Sequence, residues 1–156
     1  MTGLFVTIDG PGGVGKSTAD RYIHLEKEIR PAVARGQVVV CDRYIASSLV
    51  LQIMDGVARD IVWELNRHAD MPDLSVIINA RADVIAKRLD ERGAHSRYER
   101  EPSGPERECA YFCEAARFLM AAGVRVLQLD ASTTEPENIA RAIVGAIREP
   151  WMRDRS

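Results

Sequence analysis

Short apolar runs alternate along the chain with longer stretches in which apolar residues recur every three to four positions. Leu4–Asp9 (LFVTID) reads as a strand that stops at a glycine-rich turn. Val38–Cys41 is a continuous β-branched run, the pattern of a strand buried on both faces of a parallel sheet. Leu74–Ala80 (LSVIINA) follows the turn signal Met71-Pro72-Asp73, and Val124–Leu129 (VRVLQL) follows Gly123, a natural helix stop. A helix is predicted from about Lys16 to Arg35, with Tyr22, Leu25, Ile29 and Val33 on one face. Others fall near Ser47–Met54, Val57–His68, Asp83–Arg92, Pro105–Ala122 and Pro136–Ile147, the last opened by the capping-box pattern Thr134-x-x-Glu137. This alternation predicts a three-layer α/β fold, a mostly parallel sheet flanked by helices. Gly93–Gly104 (GAHSRYEREPSG) is the one long polar segment, expected to be a loop over a site, and PWMRDRS after Glu149 is expected to be a loose end.

Composition narrows the classes. The chain has 156 residues, the size of one domain, with a core-forming 46% hydrophobic content. Its 21 Lys+Arg stand against 23 Asp+Glu, which argues against a nucleic-acid polymer as partner, since such domains carry a basic excess. Three cysteines are an odd count for a disulfide framework, and the N-terminus lacks the charged and apolar regions of a signal peptide. A cytoplasmic protein is expected, without a membrane partner, because no apolar stretch approaches the length of a span.

Gly10-Pro-Gly12-Gly13-Val14-Gly15-Lys16-Ser17 fits G-x-x-x-x-G-K-[ST] and sits between a predicted strand and a predicted helix. By average residue usage the motif arises by chance in about one such chain in two hundred. Glycines let backbone N–H groups converge on phosphate oxygens with no Cβ in the way, and the helix N-terminus adds a favourable dipole. Lys16 would reach the β- and γ-phosphates, and the Ser17 hydroxyl would ligate Mg²⁺. Asp42-Arg43-Tyr44 closes the next strand, at the carboxyl end where open α/β sheets bind ligands. There Asp42 can hold Mg²⁺ through water, while Arg43 offers a bidentate fork to the phosphate of a second substrate.

Leu4–Thr18 (LFVTIDGPGGVGKST) resembles the start of the thymidylate kinases, which are P-loop nucleoside monophosphate kinases. Ala19-Asp20-Arg21-x-x-His24, Ile29-Arg-Pro31-Ala32-x-x-x-Gly36 and Asp42-Arg43-Tyr44-Ile-Ala-Ser47-Ser48-Leu-Val-Leu-Gln52 follow that family's central stretch nearly step for step. Met71-Pro72-Asp73-Leu74, Asp90-Glu-Arg-Gly93 and Leu129-Asp130-Ala131 extend the match over most of the chain. The resemblance implies a P-loop NTPase fold and ATP-dependent phosphorylation of dTMP or a related pyrimidine monophosphate, with Mg²⁺. It implies an ATP site from Gly10 through Thr18, Arg43 on the acceptor phosphate, Arg21 on the thymine edge, and Ser47 and Gln52 in the acceptor pocket. The polar segment would be a lid over ATP, with Arg97 first and Arg100 second as the cation on the transferring phosphoryl group. A homodimer through the helices flanking the acceptor helix is also implied.

Three departures stand out. Family members carry a long stretch with a further strand between the phosphate-loop helix and the Ala-Asp-Arg helix, whereas here Thr18 runs into Ala19. Either the stretch is deleted, or residues are absent between the two and their Cα atoms lie well beyond 3.8 Å. Absent residues are the expectation, since a deletion would expose core. Gly12 stands where the family usually has an acidic residue on the acceptor sugar, and Leu51 where an aromatic packs against that sugar. These two changes motivate a kinase for a modified or antibiotic-type nucleotide as the alternative, with a non-catalytic P-loop relative behind it. A guanine-specific switch is disfavoured, as no Asn-Lys-x-Asp tetrapeptide occurs. Cys109 and Cys113 lie four apart on a predicted helix but lack further ligands nearby, and read as structural.

Overall fold

Each of the four apolar runs becomes a strand of one parallel sheet in the computed structural model, which describes residues 3–10, 18–92 and 103–153. The strands are β1 (Leu4–Asp9), β2 (Val38–Asp42), β3 (Leu74–Asn79) and β4 (Val126–Asp130), in the order β2-β1-β3-β4. Val6 pairs with Val40, Ile8 with Val76 and Ile77 with Gln128. Parallel neighbours need long crossovers, and the helices supply them. Between β1 and β2 lie α1 (Thr18–His24), a π-helical turn (Leu25–Ile29) and α2 (Arg30–Ala34). Then come α3 (Ile45–Met54) and α4 (Arg59–Leu65), α5 (Ala82–Arg92) and α6 (Gly104–Ala121), and after β4 a last helix, α7 (Pro136–Arg153).

Side chains alternate across the central strands and build one core on each face. Phe5 and Ile77 join Leu25, Ile29, Leu49, Val50, Val62, Phe112 and Leu119 on one side. Val6 and Val76 join Leu74 on the other, with Ile143 and Ile147 of α7 packed against them. The expected three-layer α/β architecture is therefore present. The Met71-Pro72-Asp73 turn is stitched to β1 from both directions: Phe5 N donates to Asp73 Oδ2 (2.6 Å), and Asp73 N to Phe5 O (2.8 Å).

Several expectations need correcting. Val38–Cys41 was expected to be buried on both faces, yet β2 is an edge strand, with Val38 39% and Val40 53% exposed. A β-branched run reports only that a strand fits there; its burial depends on a neighbour, and none lies outside β2 among the described residues. The helix α1 begins at Thr18 and runs on through Ala19.

Prolines set the irregularities of the helices. Pro31 has no N–H to give to the carbonyl four residues earlier, and the turn before it widens until Arg30 N reaches Leu25 O. The tail, expected to be loose after Glu149, stays helical to Arg153 despite Pro150. The carbonyl that Pro150 leaves without its helical donor, Ala146 O, accepts from Arg125 Nη1 at 2.9 Å. The helix α7 begins at Pro136, so Glu135 rather than Thr134 holds the cap position, and the capping box is not realised.

A bidentate pair ties the first crossover to the loop before β3. Arg30 Nε and Nη2 donate to Asp70 Oδ2 (2.9 Å) and Oδ1 (2.7 Å), while Tyr44 Oη donates to Asp70 O (3.0 Å). The Arg30 bonds hold the Asp70 carboxyl below its usual range. A depressed folded-state pKa stabilises above the unfolded value and is lost as pH falls through the folded one. Asp70→Asn should therefore lower the melting temperature by about 1–3 °C at pH 7. The gap should narrow steadily below about pH 4, as read by thermal denaturation across pH.

Candidate active site

The carboxyl ends of the strands open on one cleft of about 320 Å³. Asp9 and Gly10 at the end of β1, Asp42 and Arg43 at the end of β2, Asn79 and Ala80 after β3, and Ala131 after β4 form its floor. Arg88 of α5 and Glu108 of α6 stand on its walls with Ile85, Leu89 and Pro105. Sheet topology explains the convergence, because every strand is parallel and therefore ends on the same side. Gly10 is required sterically: a Cβ there would lie 2.7 Å from the Ile78 carbonyl oxygen of the next strand.

Arg43 sits at φ 65°, in the left-handed region. Its own N–H donates to Ile8 O (2.9 Å), and the following N–H, of Tyr44, donates to Asp9 Oδ1 (2.8 Å). The same Asp9 oxygen accepts from Ser47 N (3.1 Å) and Ser47 Oγ (2.7 Å). Asp9 is 2% exposed, and burial pushes its carboxyl pKa upward against these bonds and the nearby charge of Arg43. Its other oxygen, Oδ2, is buried with no partner among the described residues.

The predicted site residues separate into three groups. Gly10, Asp42 and Arg43 meet on the cleft floor. Arg21, Ser47 and Gln52 are not among the residues that line it. Arg21 is 7% exposed; its guanidinium donates to Asn66 Oδ1, to Ser48 Oγ (2.6 Å) and to Tyr44 O (3.3 Å), and lies 5.1 Å from the Tyr44 ring centroid. Burial pulls its pKa down, and the arginine remains a cation. That network holds Arg21 inside the protein, outside the lining of the cleft. Ser47 is 2% exposed, with its hydroxyl committed to Asp9, and Gln52 is half-buried on α3. Thr18 opens α1. Gly12, Gly13, Val14, Gly15, Lys16, Ser17, Arg97 and Arg100 lie outside the described residues, as does most of the expected lid.

Asp9, Arg88 and Glu108 were not anticipated. Asp9 had a signal, being the polar residue that ends an apolar strand just before the phosphate loop. Arg88 and Glu108 had none, since a charged residue on a helix usually faces solvent. The cysteine pair behaves as expected: Cys109 Sγ lies 3.2 Å from Ala80 O, and Asn79 Nδ2 donates to Cys109 O (3.1 Å) and Cys113 Sγ (3.4 Å). Burial pushes the Cys109 thiol up to about 11, which disfavours the thiolate that metal binding requires. No group of three or more His, Cys, Asp or Glu that could hold a metal occurs among the described residues.

Comparison with known proteins decides the family. The thymidylate kinase family model matches residues 17–143, most of the chain. The chain belongs to the thymidylate kinase family. A probable thymidylate kinase of Thermococcus gammatolerans is 32% identical over 133 residues, covering 84% of this chain and 61% of that protein. A probable thymidylate kinase of Caldivirga maquilingensis is 39% identical over 82 residues, 53% of this chain and 40% of the relative. A thymidylate kinase of Orientia tsutsugamushi is 38% identical over 80 residues, 49% of this chain and 37% of the relative. The chain thus spans between 37% and 61% of the length of these three relatives. No helix of the described residues is long and apolar enough to cross a membrane.

The placement of Arg21 makes a stability prediction. Arg21→Ala removes a charged donor from three acceptors and leaves Asn66 Oδ1 buried without it, so unfolding free energy should fall by about 2–4 kcal/mol. Denaturant titration monitored by circular dichroism checks this.

Proposed function

We propose that this member of the thymidylate kinase family transfers the γ-phosphoryl group of ATP to a pyrimidine deoxynucleoside monophosphate, dTMP first. The observation that carries the reading is the meeting of Gly10, Asp42 and Arg43 in one cleft, directly against the start of the phosphate-loop motif. The missing Cβ of Gly10 lets the chain leave β1 close against the Ile78 carbonyl of β3, where it enters the motif.

The residues present fit a hard divalent cation: the Asp42 carboxylate lines the cleft beside Asp9, whose buried Oδ2 has no partner among the described residues. Ser17 and Asp42 would hold Mg²⁺. When bound, the ion offsets charge on the β- and γ-phosphates. Lys16 binds the same phosphates, and Arg43 orients the acceptor phosphate with its fixed fork. Arg97, with Arg100 behind it, neutralises charge on the transferring group from the lid. The acceptor oxygen is already anionic, so the chain needs no general base, and alignment supplies the acceleration.

The family's dimer belongs to the same proposal. Ile23 of α1 and Ile61 and Leu65 of α4 are 54%, 53% and 50% exposed, on helices joined by the Tyr22 Oη to Leu65 O bond (2.9 Å). Such a patch suits a second copy.

The test is ADP release from Mg·ATP against a panel of nucleoside monophosphates. Release should depend on dTMP and fall by about 10²–10³-fold or more in Lys16→Ala. Release with another monophosphate alone would move the function to a modified or antibiotic-type nucleotide, the reading that Gly12 supports. Acceptor-independent behaviour despite ATP binding would point to a non-catalytic relative.

A further inference from the structure

The residue that links the two halves of the cleft is Asp9, and nothing in the resemblance or the relatives assigns it a role. We infer that Asp9 is a positioning residue: its carboxylate clamps the Arg43–Ser47 backbone to the end of β1, and so sets where the Arg43 guanidinium meets the acceptor phosphate. The inference rests on the phosphotransfer reading above for its kinetic consequence, and on geometry alone for the clamp.

Three observations carry it. The first is conformational. Arg43 lies at φ 65°, which a residue bearing a Cβ seldom adopts unless its surroundings enforce it. The enforcement is visible on both sides, as Arg43 N donates to Ile8 O (2.9 Å) and Tyr44 N donates to Asp9 Oδ1 (2.8 Å). The peptides before and after Arg43 are thus both held by the last two residues of β1.

The second observation is helix capping. Tyr44 occupies the cap position of α3 and makes no side-chain capping bond of its own. Asp9, 38 residues away from Ser47 in sequence, supplies the missing acceptor through Ser47 N (3.1 Å) and Ser47 Oγ (2.7 Å). One oxygen therefore fixes both the left-handed turn and the first turn of the helix behind it.

The third is connectivity. Asp9 ends the central strand, so its bonds tie the end of the edge strand, where Arg43 stands, to the middle of the sheet. A misplaced Arg43 costs acceptor alignment, the quantity on which a base-free phosphoryl transfer depends most.

The experiment compares Asp9→Ala, Asp9→Asn and the parent protein by amide hydrogen exchange and steady-state kinetics. Asp9→Ala should lower protection of the Tyr44 and Ser47 amides by about tenfold or more. It should raise the acceptor KM by about 10–100-fold, while the ATP KM moves less than about threefold. Asp9→Asn keeps an oxygen at the Oδ1 position and should recover most of both losses. The clamp is overturned if Asp9→Ala leaves protection intact, raises both KM values alike, or is no worse than Asp9→Asn. Should Asp9→Ala fail to fold, Ser47→Ala removes the hydroxyl bond alone and should raise the acceptor KM by about two- to fivefold. An unchanged value there overturns the inference equally. If the parent protein phosphorylates no nucleoside monophosphate, the functional reading fails, and exchange at Tyr44 and Ser47 still decides the clamp.

Discussion

A single carboxylate oxygen, Asp9 Oδ1, holds the joint between the central strand, the helix α3 and the cleft. It accepts from Tyr44 N, Ser47 N and Ser47 Oγ, all three inside the protein. The first seven residues of α3 are buried, so the free N–H groups at its start have no water to turn to. Each buried donor left unmet costs about 1–3 kcal/mol. A carboxylate in this place is itself expensive, as the upward pressure on its pKa records, and only the convergence of several donors offsets that expense. The result is a rigid corner on which Gly10 and Arg43 both stand.

Legibility in the sequence follows the range of the interactions involved. The runs LFVTID and LSVIIN are mainly apolar because β1 and β3 have neighbours on both sides and helices on both faces, so pattern and environment agree. VVVCD has the same pattern in a different environment. Its outer edge faces no further strand among the described residues, and the missing neighbour leaves no mark in the residues of β2. Helix ends show the same limit. Pro150 reads as a terminator by its lost N–H, but the remedy comes from Arg125, 21 residues from the carbonyl concerned.

The candidate site divides in the same way. Gly10, Asp42 and Arg43 were legible because strand ends and loop motifs are local features, and a parallel sheet brings such ends together whatever lies between them. Arg21 was not. Its direction is decided by Asn66, Ser48 and Tyr44, residues 45, 27 and 23 positions away, which no spacing rule connects to it. Family resemblance gives a residue type at a position; the partners that surround it decide whether it faces a ligand or the core.

The edge position of β2 raises a mechanical difficulty that the Asp9 corner answers. Edge strands are paired on one side only, and β2 exposes Val38 and Val40 to solvent, so its end has less packing to hold it than β1 or β3. Yet Arg43, at that end, lines the cleft, and in the proposed phosphoryl transfer it would have to present a planar fork to a phosphate within a fraction of an ångström. A left-handed backbone at Arg43 adds strain of order 1–3 kcal/mol. Packing from the open side cannot supply the rigidity. Bonds from the central strand can: Ile8 O holds the peptide entering Arg43 and Asp9 Oδ1 the peptide leaving it, so the residue just after β2 inherits the stiffness of β1. Placement of the Arg43 backbone is thereby uncoupled from the state of the exposed edge, and the cleft keeps its geometry beside an edge strand that is paired on one side only.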